Sequence, residues 1–339
     1  MKKVRFPFLD LSDVNRNYIE ALRSAATRVV DSGRYIGGPE VELFEKDLAS
    51  QCHAPYAIGV STGLDALMLI LSAWIEMGML KKDDGVIVPG NTFIASLLAI
   101  VHAGLRPVIV DPDPATFCLS AQGIEQACRT TNGIKAVMPV HLYGNVAWNE
   151  EIARVVADNR LLVIEDTAQA IGAIAPSQGL FGSDRAGALG HAGAFSFYPT
   201  KNIGALGDAG AVVTHDATLA TVIRQLANYG SDRRYHNIYA GFNCRLDPIQ
   251  AAMIRAKLPD TLSANSRRFA RAVAYGNEIR NPLVITPRIS SNVTDQVWHQ
   301  YVIRVRNGQR DPLKEYLACE GVETDIHYPV PPHLQPCFS

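Results

Sequence analysis

Lys201 offers more chemistry than any other residue of the chain. It lies in the run Ala192-Gly-Ala-Phe-Ser-Phe-Tyr-Pro-Thr-Lys-Asn-Ile-Gly-Ala-Leu-Gly-Asp-Ala-Gly210. The run opens as a strand, with small or polar residues alternating with aromatics over Ala194–Phe197. Pro199 breaks that strand, and Lys201 follows on a loop made tight by Gly204, Gly207 and Gly210. An amine in such a place is poorly solvated. Desolvation disfavours the ammonium form, and a neutral amine forms a Schiff base with a carbonyl. Read alone, the run is equally compatible with an ordinary loop lysine.

Other polar residues stand at comparable points of the pattern. Asp166 closes the apolar run Leu161-Leu-Val-Ile-Glu165, and Gln169 shares its loop. Ser61-Thr-Gly63 follows Tyr56–Val60 and starts a helix, where free N–H groups and the helix dipole suit a phosphate. His141 and Tyr143 follow Lys135–Val140, and Phe93 follows Val86–Val88. Ligands of open α/β sheets bind at the carboxyl ends of the strands, so these segments are expected to converge. The chemistry they suggest is that of pyridoxal phosphate. Lys201 would form the Schiff base, and Asp166 would hold the pyridine nitrogen protonated so that the ring is an electron sink. Ser196 would add a hydroxyl to the phosphate, Gln169 would touch the ring oxygen, and Phe93 would stack on the ring. Each has a plainer reading taken singly: Thr62 as a helix cap, Asp166 as a turn residue, Phe93 as core. Asp166 and Lys201 together, on successive strand ends, are more specific.

The elements that must position these residues are legible as a pattern. Short apolar runs at 56–60, 86–88, 107–111, 135–139, 161–165 and 210–214 alternate with helical stretches. Runs without polar alternation are buried on both faces, and alternating β and α predicts a largely parallel sheet between helices. Ser12–Val30 carries a helical stripe, and Pro39 starts a second helix. After Gly230 the chain becomes more polar. Ser231–His236 is expected as a loop, Pro248–Leu258 and 263–280 as helices, and Leu283–Ile285 and Trp298–Val305 as β segments. A large domain over 1–242 and a smaller one over 243–339 are expected.

Composition narrows the function classes. With 339 residues, 47% hydrophobic and 19% charged, the chain suits a globular protein with a substantial core. Thirty-two basic against 33 acidic side chains leave a net charge of −1, which gives no footprint for nucleic acid or an anionic membrane. The basic start has no apolar run after it, so no signal peptide is expected, and no stretch reads as a membrane span. Six dispersed cysteines without a Cys-x-x-Cys pair read as reduced thiols of a cytoplasmic protein, not as a disulfide framework or zinc site. The dinucleotide fingerprint Gly-x-Gly-x-x-Gly, the P-loop and His-Glu-x-x-His are all missing from the sequence.

Several longer motifs carry a resemblance. Ser32-Gly-Arg-Tyr-Ile-Gly-Gly-Pro-Glu-Val-Glu42, Val60-Ser-Thr-Gly-Leu-Asp-Ala-Leu67, Pro139-Val-His-Leu-Tyr-Gly144 and Ile164-Glu-Asp-Thr-Ala-Gln-Ala170 are four of them. Phe195–Gly204, Asn228-Tyr-Gly-Ser231 and Gly241–Asp247 continue it. From about Pro7 onward the chain resembles the DegT/DnrJ/EryC1/StrS sugar aminotransferases. The resemblance implies fold type I: a large domain with a mostly parallel seven-stranded sheet between helices, plus a smaller α+β C-terminal domain. It implies pyridoxal 5′-phosphate as cofactor, alternating with pyridoxamine 5′-phosphate. It makes Lys201 the Schiff-base lysine and proton carrier, and puts Asp166 on the ring nitrogen and Gln169 on the ring oxygen. Gly63, Leu64 and Ser196 go to the phosphate, and Phe93 to the ring face. Asn243 would reach the phosphate of the other subunit of a homodimer with shared active sites. His141, Tyr143 and His327 are placed near the sugar, with a structural loop histidine equally open for His327. L-glutamate is the implied donor.

Gly63-Leu-Asp-Ala66, Asn91-Thr-Phe-Ile-Ala95, His141-Leu-Tyr143 and Ala205-Leu-Gly-Asp208 are most similar to enzymes aminating C3 of dTDP-3-keto-6-deoxyhexoses. A dTDP-4-keto-6-deoxyhexose 4-aminotransferase is the alternative, and O-antigen lipopolysaccharide the first expected destination. Family members usually continue past Ile326–Gln335, so the small domain is expected to be shortened, and a PLP-binding protein with impaired turnover stays open. A sugar dehydratase of the same family would carry histidine in place of Lys201.

Overall fold

The computed structural model describes residues 4–290 and 292–338. Its centre is a seven-stranded sheet of β1 (Tyr56–Val60), β2 (Gly85–Pro89), β3 (Arg106–Val110), β4 (Ile134–Val137), β5 (Leu162–Asp166), β6 (Ala192–Ser196) and β7 (Gly210–Thr214), in the order β1-β7-β6-β5-β4-β2-β3. All neighbours from β3 through β6 pair parallel; β7 runs antiparallel to both β6 and β1. The carboxyl ends of β1, β2, β4, β5 and β6 therefore share one edge, and Gly210, the start of β7, arrives there too, opposite Val60 and Ser196.

Eleven α-helices are described: α1 (Leu11–Asn15), α2 (Ile19–Ser32), α3 (Pro39–Gln51), α4 (Gly63–Glu76), α5 (Ile94–His102), α6 (Ala121–Thr130), α7 (Glu150–Asn159), α8 (Ala217–Ala227), α9 (Pro248–Lys257), α10 (Thr261–Glu278) and α11 (Arg310–Cys319). One face of the sheet is covered by α4, α5 and α8, around fully buried Leu69, Ile70, Leu71 and Trp74. The other is covered by α3 and α9 over β1, β6 and β7, and by α6 and α7 over β2 to β5. With both faces covered, β2 and β7 are buried at every position. Several starts follow side-chain capping: Thr62 accepts from the Asp65 N–H, Ser120 from Gly123 and Asn149 from Ile152.

Three stretches differ from the sequence expectation. The stripe over Ser12–Val30 is interrupted: a turn of 3₁₀ helix at Arg16–Tyr18 separates α1 from α2. Ser231–Asn237 folds as a short hairpin, β8 (Ser231–Arg233) with β9 (His236–Asn237). Of Trp298–Val305, only Arg304–Val305 (β11) pairs, with Val284–Ile285 (β10). The rest of that run lacks a strand to pair with and instead packs Trp298 on Tyr301. All six cysteines are free, and among the described residues no helix is long and apolar enough to cross a membrane.

Candidate active site

At the end of β5, adjacent residues point to opposite faces. Glu165 turns inward and is fully buried. Its Oε1 accepts the N–H groups of Leu189 and Gly190, both at 2.8 Å, and its Oε2 accepts that of Gly187 at 2.7 Å. His141 Nε2 lies 2.8 Å from the same Oε2, while His141 Nδ1 accepts the Ala147 N–H at 3.0 Å. Those partners set the tautomer: Nε2 carries the proton and donates it to Glu165. His141 is fully buried, and both its ring nitrogens are hydrogen-bonded within the protein.

Asp166 turns to the other side. Its Oδ2 accepts the Ser96 hydroxyl at 2.8 Å and its Oδ1 the Ala168 N–H at 3.1 Å. Lys201 faces it from the loop after β6. Burial holds the Lys201 amine below the ordinary lysine range, and the Asp166 charge opposes that shift. The loop is gripped from the C-terminal part of the chain. The Asn202 amide donates to Asn265 Oδ1 at 2.9 Å and to the Val297 carbonyl at 3.1 Å, and its oxygen lies 2.9 Å from His299 Nδ1. Burial, then the charge of Lys201, holds His299 well below the usual histidine range. Lys257 Nζ donates to the Gly204 carbonyl at 2.6 Å.

Gly63 and Ser196 meet where β1 and β6 end and β7 begins. A Cβ on Gly63 would lie 2.7 Å from Ser196 Cβ, so only glycine leaves this corner open. The N–H groups of Gly63 and Leu64 belong to the first helical turn, where no intrahelical partner exists, while Leu64 rests against the core. Here the sequence-predicted residues come together as a cradle. Phe93 caps α5, half exposed, with its ring 5.6 Å from that of Tyr328. The Gln169 carbonyl accepts the Tyr143 N–H at 2.5 Å, and its amide donates to the Tyr328 hydroxyl at 3.3 Å. Tyr143 is buried, held at φ 59°, and its hydroxyl donates to the His327 carbonyl at 2.5 Å. The His327 ring stacks on Phe8 and meets Gln300 at 2.9 Å. Burial lowers its proton affinity, Asp325 opposes this and Lys201 adds to it. Asn243 stands apart: it is exposed, bridged to Asn228, next to Cys244 whose carbonyl accepts the Ser61 N–H at 3.2 Å.

Ser96, Asn202, Asn265, His299 and Tyr328 were not singled out by the sequence. Only Ser96 carried a signal: it lies in the first turn of the helix that Phe93 opens.

The residues fit a pyridine ring bearing a phosphate and a carbonyl. The cradle between Gly63 and Ser196 is open where a Cβ would close it, and a buried carboxylate, Asp166, acts on the half-buried amine of Lys201. With the sheet order, this defines an α/β transferase of fold type I. A family model described as the DegT/DnrJ/EryC1/StrS aminotransferase family matches residues 17–339, and the chain belongs to that family. It is 45% identical over 333 residues to the dTDP-3-amino-3,6-dideoxy-alpha-D-galactopyranose transaminase of Aneurinibacillus thermoaerophilus, covering 98% of this chain and 88% of that one. The crystal structure of S. venezuelae DesV superposes with a TM-score of 0.89 at 40% identity, covering all of this chain and 87% of the other. The ntda structure from Bacillus subtilis, with bound cofactor PMP, gives 0.84 at 31% identity, covering 99% and 74%. The protein is an aminotransferase, and pyridoxal 5′-phosphate is its cofactor.

Proposed function

We propose that this enzyme moves the amino group of L-glutamate to C3 of a dTDP-linked 3-keto-6-deoxyhexose. The observation that carries the reading is Lys201, a half-buried amine within electrostatic reach of Asp166, beside an open phosphate cradle. The regiochemistry is supported by the relative named for a dTDP-3-amino sugar at 45% identity.

Each residue then has a task. Gly63 and Leu64 offer N–H groups and Ser196 its hydroxyl to the phosphate. Asp166 would hold the ring nitrogen, Gln169 the ring oxygen, and Phe93 one face of the ring. Lys201 Nζ would anchor the cofactor at its carbonyl group and, when free, would be the amine placed to carry a proton beside it. Pyridoxal phosphate supplies, when bound, the electron sink for that proton loss and the carrier for the nitrogen. Tyr143 and His327 shape the sugar side of the pocket. Asn243, exposed on this chain, is proposed to reach the phosphate held by the partner subunit of a homodimer. The balanced charge and the reduced thiols support a cytoplasmic reaction, with a surface polysaccharide such as O-antigen as the first candidate destination.

The test is spectroscopic. Glutamate should bleach the visible band of the loaded enzyme, and Lys201→Ala should neither bleach nor recover. A panel of dTDP-keto sugars follows. Amination of the 4-keto isomer with no turnover of the 3-keto isomer would overturn the C3 assignment.

A further inference from the structure

Asp166 is not held by its own loop alone. Ser96 lies in the first turn of α5, seventy residues earlier in the chain, and is fully buried. A serine inside a helix usually points to solvent or bonds back to the preceding turn. This one instead aims across the site, with its hydroxyl 2.8 Å from Asp166 Oδ2. Thr92, 1% exposed, places its own hydroxyl 2.8 Å from Ser96 Oγ. A hydroxyl has one proton to give. Ser96 gives its proton to Asp166, so the proton between the two hydroxyls belongs to Thr92. The result is a directed chain, Thr92 to Ser96 to Asp166, shut off from water.

The other carboxylate oxygen takes the Ala168 N–H at 3.1 Å. With one bond on each oxygen, the plane of the carboxylate is set before any ligand arrives. Each oxygen has a further acceptor site, and its direction is thereby fixed. The turn that makes this chain is also the turn that presents Phe93, which lies between Thr92 and Ser96. One short segment thus orients both the carboxylate and the aromatic platform.

We propose that Ser96, backed by Thr92, is a positioning residue that sets the carboxylate of Asp166 in register with the cofactor's ring nitrogen. The proposal rests on the reading of Asp166 given above. Positioned partners of this kind matter because a site held loosely loses much of its effect. The chain also bears on chemistry: a carboxylate turned out of the ring plane holds the ring-nitrogen proton less well, and the ring withdraws electrons less well.

The experiment compares Ser96→Ala, Thr92→Val and Asp166→Asn with the unaltered protein. Two quantities are read: the affinity of the apoprotein for pyridoxal 5′-phosphate, by titration, and the visible absorption band of the loaded protein. Ser96→Ala is expected to bind the cofactor about tenfold more weakly, and Thr92→Val, which keeps the volume and removes the outer hydroxyl, about threefold. Both bands should move toward that of Asp166→Asn. A purely structural role would lower the melting point of the apoprotein without displacing the band. Wild-type affinity and band in folded Ser96→Ala would overturn the proposal; if that variant does not fold, the same result in Thr92→Val would do so. An unchanged Asp166→Asn would instead remove the role given to Asp166 itself.

Discussion

Glu165 and Asp166 are neighbours at the end of β5, yet their carboxylates face opposite sides of the sheet and serve different ends. Glu165 takes three backbone N–H groups and the His141 ring. Asp166 takes one backbone N–H and one serine hydroxyl, and it looks at Lys201. The first is a fastener for the 187–190 loop; the second is open to a ligand.

Glu165→Gln should therefore act on stability. An amide in place of the carboxylate would set an NH₂ group against N–H donors, leaving buried groups unpaired at about 1–3 kcal/mol each. Urea unfolding of the apoprotein should show a loss of at least about 2 kcal/mol. His141→Ala should behave likewise, with KM for the sugar unchanged in the protein that folds. A raised KM with wild-type stability would place His141 in the substrate pocket.

Gly63→Ala tests the cradle. The added Cβ would sit 2.7 Å from Ser196 Cβ, and relieving that contact costs about 1–3 kcal/mol. The clash is present without ligand, so the apoprotein should unfold earlier by about that energy, and because Ser196 must shift to relieve it, cofactor affinity should fall as well, by roughly five- to a hundredfold if the strain is all felt in binding. Circular dichroism reads the first quantity and titration of the apoprotein with pyridoxal 5′-phosphate the second.

Lys201 should be the most readily labelled lysine. Its amine is held below the ordinary value of 10.5 by burial, against the pull of Asp166. Borohydride trapping with pyridoxal phosphate, followed by peptide mapping across a pH series, should find its midpoint below that of surface lysines. Asp166→Asn removes the opposing charge and should move the midpoint further down. An upward move would mean that Asp166 does not act on this amine.

Lys257 makes stability depend on alkaline pH. Burial pushes this amine from 10.5 down to about 8. Between those values the unfolded chain binds more protons than the folded one, so stability rises with pH across the window. Below about 8 the cost of the buried charge is fully present. The stability of the native protein relative to Lys257→Met should accordingly increase from about pH 8 to 10.5. A difference that stays flat across that range would show that the amine is solvated.

Much of the fold was legible because both faces of this sheet are covered, which leaves its strands as short apolar runs between amphipathic helices. The gathering of Gly63, Asp166, Ser196 and Lys201 was legible too, since all follow strand ends. What could not be read was orientation. With both faces of β5 buried, nothing in Ile164-Glu-Asp166 says which carboxylate turns toward the ligand. His141 was legible as following a strand end, but its bond to Glu165 was not. Trp298–Val305 looked like a strand because aromatic and β-branched residues favour strands, but most of that run has no edge to pair with. Asn202, Asn265 and His299 were unreadable, since their link joins segments far apart in the chain.

That last link has a bearing on synthesis. The loop carrying Lys201 is stapled through Asn202 to Asn265 and to the Val297 carbonyl. These partners leave the ribosome dozens of residues after the lysine does, and N-terminal regions emerge first during translation. The sheet can assemble while the chain is still growing. The amine, however, gains its fixed loop only when the later helix and the Val297 segment arrive, so its setting waits on residues far downstream of it.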